Sequence, residues 1–219
     1  MATIKGFILD LDGVIVDTAR YHYQAWKKLA GQLGITFGKI ENEQLKGVSR
    51  RESLHKILQL GQKEVSDEEF QQLMDQKNEW YLEAIESLSK EDTLAGGREF
   101  LEQARKIKLK LALGSASRNA PRILDQLDLV RHFDAIIDGT VVQRSKPDPE
   151  VFLRGAQELG LEPPECVVFE DSLAGLRAAI DGGFKCVGIG KKSALKQAHW
   201  VINDLSKTNP TEVINKMNF

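Results

Sequence analysis

Short apolar runs and amphipathic stretches take turns along most of the chain, the pattern of strand–helix units laid into a parallel sheet. The runs at 6–9, 109–114, 135–137, 166–169 and 186–189 are predicted strands, with a short one at 200–202. Helical spacing occupies 99–106, 120–127, 149–159 and 173–181. The predicted fold is α/β, a Rossmann-like parallel sheet with helices on both faces.

Between residues 17 and 92 the pattern changes. No convincing strand appears there, and helix-period segments follow one another. Tyr21, Ala25, Leu29 and Leu33 recur at i+4, and Gly34 sits where a C-terminal cap falls, so a helix is predicted over 19–33. Ser66-Asp67-Glu68-Glu69 reads as a capping box, with Phe70, Leu73, Tyr81, Ala84 and Leu88 supplying the apolar face of a long helix behind it. The predicted organisation is a core formed by 1–16 and 93–219, interrupted by an all-helical cap at 17–92. An insertion after the first strand of an open α/β sheet lands over the carboxyl ends of the strands, where such sheets bind ligands.

Composition narrows the function classes. The 219 residues carry 30 Lys plus Arg against 32 Asp plus Glu, a formal charge of −2, so no global basic field attracts nucleic acid or an anionic membrane. No apolar stretch reaches the roughly 18 residues a membrane span needs. Asp10, Asp12 and Asp17 break the apolar N-terminus, which argues against a signal peptide. Cys166 and Cys186 are too few for a disulfide scaffold and read as core thiols of a reducing, cytoplasmic protein. Near-neutral charge and the lack of an unexplained apolar stretch suit a monomer.

The candidate chemistry lies where predicted strands end. Phe7-Ile8-Leu9-Asp10-Leu11-Asp12-Gly13 runs a strand into two carboxylates one residue apart, followed by a turn glycine. Gly114-Ser115-Ala116-Ser117 ends a strand in hydroxyls before a helix, suited either to simple capping or to phosphate binding. Ser145-Lys146-Pro147-Asp148-Pro149 places a lysine in a proline-stiffened loop, and Phe169-Glu170-Asp171-Ser172 places two acids at the next strand end, where they suit a hard cation or a helix cap. Each segment alone has a bland reading. Four such segments at the strand ends of one parallel sheet are explained poorly by chance capping.

This ordered set resembles the haloacid dehalogenase superfamily over the whole chain. The cap segment Asn42-Glu43-Gln44-Leu45-Lys46-Gly47-Val48-Ser49-Arg50, with Lys77-Asn78 and Gly114-Ser115-Ala116-Ser117-Arg118-Asn119, is similar to the superfamily's phosphosugar mutases. The resemblance implies interconversion of β-D-glucose 1-phosphate and β-D-glucose 6-phosphate through glucose 1,6-bisphosphate and an aspartyl phosphate. It assigns Asp10 as nucleophile and Asp12 as general acid and base, a choice that spacing alone does not make. It assigns Mg²⁺ to Asp10, Asp12, Glu170 and Asp171, and the transferring phosphoryl group to Ser115, Ala116 and Lys146. Gly47, Val48, Ser49, Arg50, Lys77 and Asn119 would bind the sugar or its second phosphate, with Arg50 as a bidentate grip. Thr18 and His22 would serve cap closure. Trp26 and Trp80 are expected to be packing residues, and His55, His132 and His199 to have no site role. Arg118 stands where the pattern leads one to expect lysine. The rival reading is a phosphatase with the same core, acting on a sugar phosphate or phosphoglycolate with water as acceptor. A non-catalytic phosphosugar-binding protein would be expected to lack at least one of Asp10, Asp12, Lys146 or Asp171, and all four are present.

Overall fold

A computed structural model describes residues 3–218. Strands β1 (Gly6–Leu9), β2 (Lys110–Gly114), β3 (Ala135–Ile137), β4 (Cys166–Glu170), β5 (Lys185–Ile189) and β6 (Trp200–Ile202) form one parallel sheet in the order β3-β2-β1-β4-β5-β6. The strands read as nearly unbroken apolar runs because helices cover both faces: β1 and β4 are buried throughout, and Lys110 at the start of β2 is exposed. Phe7 and Leu9 of β1 point into one layer and Ile8 into the other. In the first layer Phe7, Phe100 and Phe169 pack with ring centroids 5.1–5.8 Å apart.

The chain winds from β1 outward to β3, then jumps back to β4 and winds the other way. This reversal leaves a crevice at the carboxyl ends of β1 and β4. Helices α1 (Ala19–Gln32), α2 (Lys39–Glu43), α3 (Arg50–Leu60) and α4 (Asp67–Ala84) come between β1 and β2 and form the all-helical cap. They enclose their own apolar cluster, built around Trp26, Leu29, Leu54, Ile57 and Phe70. Gly34 has φ +70° just past α1, the left-handed conformation expected of a helix stop. Ser66 Oγ accepts a hydrogen bond from the Glu69 amide at the start of α4. The long helix ends earlier than its apolar face suggests. Ile85 and Leu88 lie past the end of α4 and pack into the sheet-side layer, so the periodicity continues through a turn that has left the helix.

Helices α5 (Gly97–Lys106), α6 (Ala120–Gln126), α7 (Glu150–Leu159), α8 (Leu173–Asp181) and α9 (Pro210–Met217) complete the core. Where the cap joins the core, Val16 and Thr93 form an antiparallel bridge and the Leu94 amide donates to the Ile15 carbonyl at 2.8 Å. The outgoing and returning segments are therefore pinned side by side. Cys166 and Cys186 are buried free thiols. No helix among the described residues is long and apolar enough to cross a membrane.

Candidate active site

Asp10 is the first residue beyond β1, and its amide donates to the Phe169 carbonyl of β4, which fixes the carboxylate over the crevice. It is 4% exposed. Lys146, wholly buried, donates to Asp10 Oδ1 and Glu170 Oε2, both at 2.8 Å. The other oxygen of Glu170 accepts from the Asp171 amide, the Ser172 amide and Ser172 Oγ at 2.7–3.1 Å. Glu170 is thereby oriented by the residues that lead into α8 on one side and by Lys146 on the other. Ser115 is held at the end of β2 by its amide, which donates to the Ile137 carbonyl, and its Oγ accepts from the Ser117 amide.

Single carboxylate oxygens of Asp10, Glu170 and Asp171 all lie within 4.8 Å of one another. Burial raises the Asp10 and Asp171 carboxyls above the ordinary range, and the charge of Glu170 adds to both shifts. Asp12, two residues on from Asp10, is pushed up to about 8 by burial and then by Asp10, and its Oδ1 is buried with no hydrogen-bond partner among the described residues. Lys146 answers only part of this negative charge. Its own proton is held more tightly than usual: burial opposes the charge, but Asp10 and Glu170 outweigh it. Oxygen donors crowded at this spacing, with one buried lysine among them, fit a hard divalent cation.

Above this acidic floor opens a cavity between core and cap. Its floor is lined by Asp10, Asp12, Asp171, Ser115 and Ala116, and the cap contributes His22, Gly47, Val48, Arg50 and Lys77. Asn119 reaches it from the start of α6, and its Nδ2 donates to Asn78 Oδ1 of α4 at 3.0 Å, tying core to cap. Lys77 is 2% exposed, with Nζ 2.8 Å from His22 Nδ1 and 4.7 Å from the ring centroids of Trp26 and Tyr81. Burial, then the charge of Arg50, lowers its ammonium to about 7. His22 is likewise held well below its ordinary value, by burial first and then by Lys77 and Arg50. It stacks on Tyr81 at 4.0 Å, so it is an inward residue of α1 and no surface histidine.

Not every expected residue reaches this cavity. Ser49 does not line it; its Oγ caps α3 by accepting from the Glu52 amide. A serine directly before a helix satisfies an orphan amide, and that task points its hydroxyl away from the ligand. Thr18 is buried at the head of α1, behind the cavity wall, and makes no side-chain cap hydrogen bond. Lys146 and Glu170 lie beneath the floor. Eight lining residues were not expected as site residues, among them Lys46, Ser53, Trp26 and Arg118. Lys46 and Arg118 were visible inside quoted motifs, and a cation beside each glycine- or serine-rich turn was the signal to follow. Trp26, expected to be packing, does pack in the cap and also shows an edge to the cavity.

Arg118 changes the electrostatics. Arg50 from the cap and Arg118 from the core lie close enough that Arg118, after burial, lowers the Arg50 guanidinium. With Lys46 and Lys77 they give the cavity a basic side facing the acidic floor. Two guanidiniums converging on one space are stable when an anion sits between them.

The fold, the strand-end acids and the inserted cap define a class. The chain belongs to the haloacid dehalogenase-like hydrolases, whose family model matches residues 4–183. Within that class it is 42% identical over 205 residues to the β-phosphoglucomutase of Bacillus subtilis, a match covering 93% of this chain and 91% of that protein. The crystal structure of a β-phosphoglucomutase from Clostridium difficile superposes with a TM-score of 0.95 at 39% identity, covering 98% of this chain and 97% of that one. A phosphorylated carbohydrates phosphatase of Thermotoga maritima is 32% identical over 184 residues, 83% of each chain.

Proposed function

We propose that the chain interconverts β-D-glucose 1-phosphate and β-D-glucose 6-phosphate through enzyme-bound glucose 1,6-bisphosphate. The observation that carries this reading is the two-sided cavity. Its acidic floor suits phosphoryl transfer to a carboxylate, and its basic side, converging on Arg50 and Arg118, suits a second phosphate. Hydrolysis of a monophosphate needs no second anion grip. The 42% identity to the Bacillus subtilis β-phosphoglucomutase supports the same reading.

In this mechanism Asp10 attacks phosphorus and accepts the phosphoryl group, becoming an aspartyl phosphate. Lys146, hydrogen-bonded to Asp10, opposes the repulsion between carboxylate and phosphate, a cost of several kcal/mol at protein-like dielectric. Asp12 gives its proton to the departing sugar oxygen and takes one from the attacking hydroxyl. Burial and Asp10 keep it protonated at neutral pH until a ligand and cation arrive. Ser115 and the Ala116 amide hold the transferring group. Arg50, Arg118 and Asn119 hold the other phosphate, and Val48 and Gly47 bound the sugar. Once the bisphosphate has turned end for end, the same residues serve the second transfer.

Asp10, Glu170 and Asp171, with the Asp12 carbonyl, would hold Mg²⁺, which supplies charge neutralisation at the transferring oxygens. Lys77 and His22 would link cap closure to Asp12, since the ammonium of Lys77 acts on that carboxyl. Thr18, at the head of α1, would serve the same movement. We take residues 1–16 and 93–219 as the core and 17–92 as the cap, with the Val16–Thr93 bridge as the neck. The near-neutral charge suits a working monomer, and two free buried thiols suit a reducing cytoplasm.

Phosphorus NMR of the purified protein with Mg²⁺, β-glucose 1-phosphate and a trace of glucose 1,6-bisphosphate tests the reading. Glucose 6-phosphate forming with little free phosphate supports it. Free phosphate as the main product would make the chain a phosphatase.

A further inference from the structure

The loop before α7 is fastened at four successive residues. The amides of Gln143 and Arg144 donate to the buried carboxylate of Glu150 at 2.8–3.1 Å. Lys146 grips Asp10 and Glu170. Between them, Ser145 Oγ donates a hydrogen bond to Glu52 Oε2, across the seam between core and cap and 93 residues away in sequence. Glu52 is well placed to accept: it lies in the first turn of α3, where the helix dipole favours a negative charge, and its amide is already held by Ser49. The same turn of α3 carries Arg50 into the cavity. One short helix start thus reaches the ligand with one residue and the lysine loop with another.

We propose that the Glu52–Ser145 hydrogen bond is a latch that holds the cap against the core beside Lys146, and that by keeping water from the aspartyl phosphate it biases transfer toward sugar hydroxyl over water. Glu52 is a positioning residue in this account and touches no substrate. The bond is charge-assisted but lies at the surface, so its share of the closed state is modest. Breaking it should shift the closing equilibrium by about two- to fivefold. The proposal rests on the mutase reading given above.

The test uses the full chain with Glu52→Ala, Ser145→Ala and the double variant. Two quantities are measured: the ratio of phosphate release to mutase turnover with glucose 1,6-bisphosphate present, and the radius of gyration of the ligand-free protein by X-ray scattering. Both single variants should raise the ratio about two- to fivefold and enlarge the radius. The double variant should go no further than either single one, because one bond is lost in all three. Additive effects in the double variant, or a radius unchanged in all three, would overturn the latch, since the scattering needs no catalysis. A wild-type protein that releases only phosphate, with the radius still growing in the variants, would sink the mutase reading and leave the latch as a closure device. An unchanged ratio in a competent mutase would remove the bias toward sugar.

Discussion

Replacing Lys77 with methionine should make the ligand-free protein more stable while disabling it. The ammonium is 2% exposed and held at about 7 by burial, against 10.5 in water, so its charged form is penalised by about 4–5 kcal/mol. That shift already includes whatever the two aromatic faces at 4.7 Å and the contact with His22 Nδ1 return. The burden at pH 6 is therefore about 4 kcal/mol, and methionine fills nearly the same volume without it. The sign with pH follows from the direction of the shift. A lysine whose folded value is depressed binds fewer protons in the folded state between about 7 and 10.5, so the wild type regains stability across that window. The advantage of the variant is full below pH 7 and fades toward pH 10. Urea unfolding at pH 6, 7.5 and 9 measures it, with both proteins carrying Asp12→Asn because that carboxyl titrates in the same range. A variant less stable than its parent at pH 6, or one whose advantage grows with pH, would refute the reasoning. In the otherwise native chain, Lys77→Met should also lower turnover at least about tenfold, because an anionic ligand no longer finds its buried cation.

Asp10→Asn should abolish turnover and trapping of phosphate on the protein by mass spectrometry, while leaving the fold intact by circular dichroism. Arg50→Lys should raise KM for the bisphosphate about ten- to a hundredfold with a smaller change in kcat, since a point charge replaces a two-pronged donor. Chelation of divalent cations should stop the reaction, and in the metal-free protein Asp12→Asn should stabilise the fold above pH 8. The folded Asp12 value is raised, so the wild type loses stability as pH climbs from the ordinary carboxylate range through about 8, which melting curves against pH would show. Phe169→Ala removes the ring shared by Phe7 and Phe100 and should cost about 3–5 kcal/mol in denaturant titrations.

The strands were legible because a sheet buried on both faces writes itself as apolar runs, and each predicted run lies within one residue of the observed strand. The acids and hydroxyl at strand ends were legible for a related reason: a parallel sheet sends its carboxyl ends to one edge, and Lys146 returns to that edge on the loop before α7. The cap was harder. α2 has five residues and none of them buried, so no periodic face exists to read, and α9 begins at Pro210 in a tail that carries no motif. Arg118 was missed as a site residue because its meaning depends on Arg50, 68 positions earlier, which only the folded chain brings near. The same holds for Glu52 and Ser145, two ordinary polar residues until their helix and loop meet.

The neck at Val16 and Thr93 bears on how such molecules diversify. Because the polypeptide departs and returns through adjacent, hydrogen-bonded residues, the sheet sees the whole insertion as a single loop. Its strand order owes nothing to what that loop contains. A different excursion spliced at the same two points would meet the same acids and the same lysine. What such an exchange would alter is the lining above the acids, while Arg118 and Asn119 of the core would still meet whatever replaced it.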